Sequence, residues 1–251
     1  MKIALIGSGN VASILGAALK SEGHRIAAVW SRTPARGKKL ASGLHSRFFS
    51  TITSIPCDCD LYIIAVNDDQ VRTISKKLEP GKGMVVHTSG FSSIHIFEGK
   101  FLNCGVMWPL QTFSKGRKIR LRDVPFFIEG NSVRTTKLLR KIASGLSRNV
   151  IILSSKKRRM LHLAAVFASN FSNHCFAVAE KIAKRNSIPF SVLHPLITET
   201  VLKAMEQGPS HSQTGPAVRK DERVMKEHLR MLSKAGDLRS LYRHLSRAIR
   251  S

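Results

Sequence analysis

Cysteine is scarce in this chain and poorly spaced for chemistry. The four cysteines are Cys57, Cys59, Cys104 and Cys175, and no two have the C-x-x-C spacing of a zinc knuckle or a thiol-redox motif. Cys57-Asp58-Cys59 is too tight for ordinary zinc ligation, so free buried thiols in a reducing compartment are expected, and no metal site. Long apolar runs are missing too, and none reaches the roughly 20 residues that a bilayer-spanning helix needs. A Lys followed by apolar residues at the start imitates a signal peptide, but the run breaks at Gly7-Ser8, too soon for an apolar signal core. The cytoplasm is the expected location, with no membrane partner.

Acidic residues are the other shortage. Only 16 Asp and Glu accompany 41 Lys and Arg, a formal net charge of +25, which by itself favours a polyanionic partner. Its distribution argues against a dedicated basic arm: residues 1–150 hold 23 basic and 9 acidic side chains, residues 151–251 hold 18 and 7. Only Lys156-Lys157-Arg158-Arg159 forms a block, expected as the solvated face of an opening helix. No nucleic-acid motif accompanies it, so no dedicated nucleic-acid partner is assigned.

What the chain does have begins at its first residues. Met1–Ile6 is a short apolar strand, Gly7-Ser8-Gly9-Asn10-Val11-Ala12 follows, a small-residue helix runs to Lys20, and Ile26–Trp30 is a second strand. Strand, G-x-G-x-x-A, helix and strand in that order form the dinucleotide-binding βαβ fingerprint. Gly7 permits the tight turn, Gly9 lets the backbone approach a pyrophosphate, and Ala12 lets the helix sit close to the strand. The helix N-terminus, where Gly7, Ser8, Gly9, Asn10 and Val11 lie, then favours the negative charge of the pyrophosphate. The second strand ends in Ser31-Arg32-Thr33, with Arg36, Lys38 and Lys39 beyond it. An NAD enzyme usually places a carboxylate there for the ribose 2′-hydroxyl. A guanidinium and two hydroxyls suit a 2′-phosphate instead, so NADP is the expected cofactor.

Strands and helices continue to alternate. Strands are expected at His45–Phe49, Asp60–Val66, Met84–His87, Cys104–Trp108, Pro125–Glu129 and Asn149–Leu153, with helices at Pro34–Gly43, from Asn67 to Leu78, and at Ser132–Leu146. This predicts an α/β, doubly wound, mostly parallel sheet whose ligand crevice lies outside the strand carboxyl ends. Ala65, Val66 and Asn67, with Thr88 and Ser89, are strand-end residues expected to border the nicotinamide ribose. Gln111 and Thr112 follow the Cys104–Trp108 strand as candidate substrate contacts.

Near Ser154 the pattern changes to helices alone, broken at Pro189, Gly208-Pro209 and Gly236. The expected domains are therefore 1–153, binding NADP, and an all-α domain over 154–251. Residues 155–186 lack Pro and Gly and predict one long helix. His162, Asn170 and Asn173 fall at i, i+8 and i+11, close to one face. Asn170 and Asn173 are candidates to hold a substrate, and His162 or His174 to titrate near neutrality; a polar helix interface would explain them equally. Thr214 and Pro216 predict a helix start with Arg219 one turn in, suited either to a substrate carboxylate or phosphate or to plain capping.

The segments Ile6–Ala12, Tyr62–Asp69, His87–Gly90, Pro109–Ser114, His162–Phe171 and Gln213–Arg219 carry a resemblance over nearly the whole chain. It resembles the Rossmann-like bacterial proteins whose C-terminal domain is DUF2520, relatives of pyrroline-5-carboxylate reductases, ketopantoate reductases and β-hydroxyacid dehydrogenases. The resemblance implies an NADP oxidoreductase whose helical domain closes the nicotinamide crevice and forms a homodimer. The catalytic Lys of the β-hydroxyacid dehydrogenases has no counterpart here, since no Lys lies between Lys157 and Lys181. Hydride exchange with a small anionic metabolite is the leading expectation, and a non-catalytic NADP-binding sensor the alternative.

Overall fold

The computed structural model describes residues 1–250 apart from Lys115, Lys118 and Lys234. It divides into two compact units, Met1–Ser169 and Asn170–Ser251. The first unit is an α/β sheet domain with one helix beyond its last strand, and the second is helical.

In the first unit, β1 (Lys2–Ile6), α1 (Asn10–Ser21), β2 (Arg25–Trp30), α2 (Pro34–Leu44) and β3 (Arg47–Phe49) form one half of the sheet. The chain then crosses to β4 (Leu61–Ile64), α3 (Asp68–Lys77), β5 (Met84–His87), β6 (Cys104–Pro109), β7 (Phe126–Gly130), α4 (Val133–Leu146) and β8 (Val150–Ile152). The eight strands lie in the order β3-β2-β1-β4-β5-β6-β7-β8. All neighbours are parallel except β6 and β7, which pair antiparallel from Gly105↔Gly130 to Pro109↔Phe126. The chain reverses direction across the sheet between β1 and β4, the place where ligands bind in such folds.

The central strands are apolar on both faces because helices or turns cover both, whereas Arg47 of the edge strand β3 and Ile151 and Ile152 of the edge strand β8 are exposed. On one face Ile3, Leu5, Leu61, Ile63, Val86 and Met107 pack with Leu15 and Leu19 of α1, Leu44 of α2 and Leu139 and Ile142 of α4. On the other, Ala4, Ile6, Tyr62, Ile64, Val85 and Val106 pack with Val71 and Ile74 of α3 and with Phe97. The period of two in β1 (Ile3 and Leu5 against Ala4 and Ile6) is what divides the core. Burial pushes the Cys104 thiol up to about 11 and raises Cys59 as well. Both are free and buried, whereas Cys57 and Cys175 are free and exposed, contrary to the expectation of burial for all four. No group of three metal-ligating side chains occurs among the described residues, and no described helix is long and apolar enough to cross a membrane.

After β8, Ser154 caps α5 (Ser155–Ala165) by accepting the Lys157 N–H. A π-helical segment, Val166–Phe171, comes next and α6 (Ser172–Arg185) follows it. The expected single helix is helical throughout but not uniformly α. A π turn inserts one extra residue, so the i, i+8, i+11 count that put His162, Asn170 and Asn173 on one face does not hold. The division between the units falls inside this segment. In the second unit α7 (His194–Gln207), α8 (Pro209–Ser212), α9 (Glu222–Met231) and α10 (Gly236–Arg250) follow. α9 and α10 are joined by the His228 Nδ1 to Tyr242 hydroxyl bond at 2.9 Å and by Arg250–Glu222 at 2.7 Å. Pro216 does not open a helix as expected. It begins a turn in which the Asp221 N–H donates back to Pro216 O, and Asp221 then caps α9 through the Val224 N–H. An Asp cap followed by Glu222 in the first turn is the stronger helix start.

Candidate functional site

The site is built where β1, β2, β4, β5 and β6 end along one edge of the sheet. Gly7 is its pivot. Its N–H donates to Trp30 O at 2.8 Å, so it continues the β1–β2 ladder one residue past the strand. Its φ is +128°, and a Cβ there would lie 2.1 Å from Ala65 O. Only glycine accommodates both conditions. The Ala65 N–H in turn donates to Ile6 O and the Thr88 N–H to Ile64 O, which holds three strand ends in register.

Beyond Gly7 the chain enters α1 without a side-chain cap. The first-turn N–H groups of α1 are therefore left for a ligand. Nothing lies within 4 Å of a Cβ built on Gly9, so the turn faces open space where a pyrophosphate would approach. The neighbouring polar side chains brace the turn. Ser8 Oγ and Ser31 Oγ are 2.6 Å apart, and Asn10 Nδ2 donates to Phe113 O at 2.6 Å. Val11 packs against the core.

At the end of β2 the three expected contacts separate by environment. Ser31 is buried, and its hydroxyl also accepts the Thr33 N–H at 3.1 Å. Arg32 and Thr33 are exposed, as are Arg36, Lys38 and Lys39, and Thr33 leaves α2 uncapped by its side chain. Ser31 thus ties the glycine turn to β2, and Arg32 and Thr33 present polar groups to solvent. At the end of β4, Ala65 is buried, Val66 half-buried and Asn67 exposed at the start of α3.

The end of β5 is the most tightly organised part. The Ser89 N–H donates to His87 Nδ1, and Ser89 Oγ accepts from the N–H groups of Phe91 and Ser92. Thr88 and Ser89 are both buried. His87 is itself fully buried, its ring tilted against that of Phe97, with no partner at Nε2. Burial, aided by the charge of Arg158, pushes it down to about 3, so it is neutral.

His162 is half-buried on α5 and meets Trp108 edge-on, with ring centroids 5.8 Å apart. A Cβ on Gly90 would lie 2.8 Å from His162 Nδ1. The structure therefore brings His162 to the β5 and β6 ends. Gln111 and Thr112 are exposed just past β6, with Gln111 Oε1 accepting the Thr112 N–H at 2.8 Å. They line a cavity of about 380 Å3 together with Arg117 and Arg120. Asn170, Asn173, Thr214 and Arg219 lie in the second unit and are exposed. A cavity of about 890 Å3 lies at the opposite end of the sheet, lined by His24, Asp60, Lys82 and Arg134, and none of the expected site residues borders it.

Sequence reasoning missed one feature. Arg158 does not belong to a solvated basic face: its side chain is 0% exposed and 2.6 Å from Glu129, itself only 17% exposed. Lys156, Lys157 and Arg159 are exposed as expected. Burial lowers the Arg158 pKa and the hydrogen bond and charge of Glu129 oppose that shift. Nothing in four consecutive basic residues distinguishes the one that points inward.

Strand order, glycine turn and uncapped α1 define a dinucleotide-binding Rossmann domain followed by a helical unit. Residues 124–249 match the family described as a domain of unknown function, DUF2520, and the chain belongs to that family. Residues 2–88 match the family described as NADP oxidoreductase, coenzyme F420-dependent. Among solved structures, a presumed NADP oxidoreductase from Bacteroides fragilis is 39% identical, with 99% of this chain and 97% of that one covered and a TM-score of 0.91. A Thermotoga maritima protein is 24% identical over 99% of this chain and 96% of its own, with a TM-score of 0.73. An imine reductase from Myxococcus stipitatus in complex with NADP+ is 16% identical over 100% and 92%, with a TM-score of 0.69, a likeness of fold. No curated protein matches the sequence. Family and fold together place the chain among the NAD(P)-dependent oxidoreductases.

Proposed function

We propose that this protein is an NADP-dependent oxidoreductase that moves a hydride between the cofactor and a small anionic metabolite. The observation that carries the reading is the approach of Gly7 to Ala65 O beside an uncapped α1, with exposed Arg32 at the end of β2. NADP is the cofactor. Gly7–Val11 would hold its pyrophosphate, Arg32 and Thr33 its 2′-phosphate, and Ala65–Asn67 with Thr88 and Ser89 its nicotinamide ribose. When bound, the reduced cofactor supplies the hydride.

The substrate would lie near Gln111 and Thr112, where Arg117 supplies positive charge and Arg120 shares its own with Asp123, 4.0 Å away. His162 stands at the same strand ends and can donate or accept a proton there. Asn170, Asn173, Thr214 and Arg219 are exposed polar groups of the second unit. An imine-like or carbonyl group suits a hydride acceptor paired with a histidine, which the fold of the imine reductase supports.

The second unit also exposes Val192, Leu196, Leu202 and Met205, the last three on α7. So much apolar surface on one helix suits an interface, and we assign it to a second copy of the chain. A concentration-dependent mass in sedimentation, or a stable dimer, is the expected result; a monomer at all concentrations refutes it.

The cofactor reading is tested by titrating NADP and NAD into the protein and into Arg32→Ala. Loss of a charge-assisted phosphate contact predicts NADP binding weaker by about tenfold with NAD unchanged. Equal affinity for the two nucleotides in the unmodified protein refutes it. Turnover on a panel of keto acids, imines and aldehydes separates an enzyme from an NADP-binding sensor, which binds and does not turn over.

A further inference from the structure

One face of α5 carries Ser155, Arg158, Arg159 and His162, spaced by three and four residues as one side of a helix requires. Each engages the segment after β5, in reverse order. Ser155 Oγ accepts the Ile94 N–H at 3.0 Å. Arg158 Nη2 donates to Ser92 O at 2.6 Å. Arg159 Nε donates to Phe91 O at 2.9 Å, and its guanidinium lies 5.4 Å from the Phe91 ring centroid. His162 closes the series against Gly90, where a Cβ would come within 2.8 Å of His162 Nδ1 and 2.7 Å of the Trp108 ring. As the helix rises from 155 to 162, the loop descends from 94 to 90.

This antiparallel seam is anchored at its base by Glu129 of β7. Its carboxylate accepts the Ser155 N–H at 2.9 Å, the Ser155 hydroxyl at 2.6 Å and Arg158 Nη1 at 2.6 Å. At its upper end the seam joins the turn made by Ser89 Oγ and the Ser89 N–H bond to His87. One connected set of hydrogen bonds therefore runs from β7 through α5 to the carboxyl end of β5. Arg158 is its branch point, because only a guanidinium fork reaches Glu129 with one nitrogen and Ser92 O with another.

We infer that Arg158 is a positioning residue for the nicotinamide half of the cofactor, setting Thr88 and Ser89 at the ribose without touching the ligand. The inference rests on the NADP reading above, and its test separates the two. The probes are NADPH and adenosine 2′-phosphate 5′-diphosphate, which shares the 2′-phosphate and pyrophosphate and lacks the nicotinamide and its ribose. Isothermal titration of both into the unmodified protein comes first; binding of neither overturns the cofactor reading and this inference with it. Arg158→Lys is expected to raise the Kd for NADPH about tenfold and to leave that for adenosine 2′-phosphate 5′-diphosphate within about twofold, the loss of a charged hydrogen bond felt at one end only. Arg159→Ala, at an exposed position that folding tolerates, is expected to shift NADPH in the same sense by roughly threefold. Gly90→Ala, which wedges the seam at its upper end, is expected to give the same split and carries the test if Arg158→Lys does not fold. Equal weakening of both ligands, as a merely structural role would give, overturns the inference, as does unchanged NADPH affinity in the folded variants.

Discussion

Replacing Arg158 with Met removes the cation paired with a nearly buried carboxylate. Glu129 keeps its two bonds from Ser155 and loses its charge partner, and Ser92 O loses the Nη2 donor. Breaking a buried pair by removing one partner costs about 3–5 kcal/mol, because the remaining charge is left uncompensated. Glu129 is 17% exposed, so water relieves part of this and the lower end, about 3 kcal/mol, is expected for Arg158→Met. The assay is equilibrium unfolding in urea followed by tryptophan fluorescence. Both tryptophans, Trp30 and Trp108, lie in the first unit, so the signal reports that unit alone. The midpoint should fall with the slope unchanged. Adding Glu129→Gln to Arg158→Met should recover at least about 1 kcal/mol, since the stranded charge is then gone. A loss below about 1 kcal/mol for Arg158→Met, or strictly additive effects of the two changes, would refute the idea that the pair holds α5 to the sheet.

Gly7→Ala should abolish nucleotide binding and destabilise the first unit by more than about 2 kcal/mol, from a strained φ and the clash with Ala65 O together; titration calorimetry and urea unfolding check the two parts, and wild-type affinity would contradict it. For His87 the pKa falls from 6.5 unfolded to about 3 folded. Its contribution to stability is full above pH 6.5, declines at about 1.4 kcal/mol per unit as the unfolded chain takes up a proton, and is gone below about 3. In His87→Asn the decline between pH 6.5 and 5, above most carboxylate titrations, should flatten; the same slope in variant and parent would show that His87 is not the group responsible.

Much of the fold was readable from local pattern. Alternating apolar runs and helical stretches mark every strand to within a few residues, because a parallel sheet buried on both faces tolerates few polar side chains. G-x-G-x-x-A at residue 7 was informative because it stands between a strand and a helix, and the geometry at Gly7 supplies the reason glycine is needed. Chain order alone also places Arg32 at the end of β2. Helix interiors were less legible. Val166–Phe171 has no Gly or Pro to announce a π turn, and Pro216 looked like a helix start because its local chemistry imitates one. Asp221 caps α9 instead, a competition that packing and cap geometry decide.

The sequence by itself determined the layered sheet, the glycine turn and the place of Ser31-Arg32-Thr33 at the end of β2, since each depends on residues close together in the chain or on strand periodicity. Only the tertiary structure decided which member of Lys156-Lys157-Arg158-Arg159 turns inward. Burial of Arg158 requires Glu129 and the Ser92 carbonyl, 29 and 66 residues away, to arrive at the same point. A charge enters a protein interior only where such partners meet it, and no local pattern records that meeting. The same holds for His162 against Gly90 and Trp108, three residues from separate elements that share one place only after the sheet has closed around them.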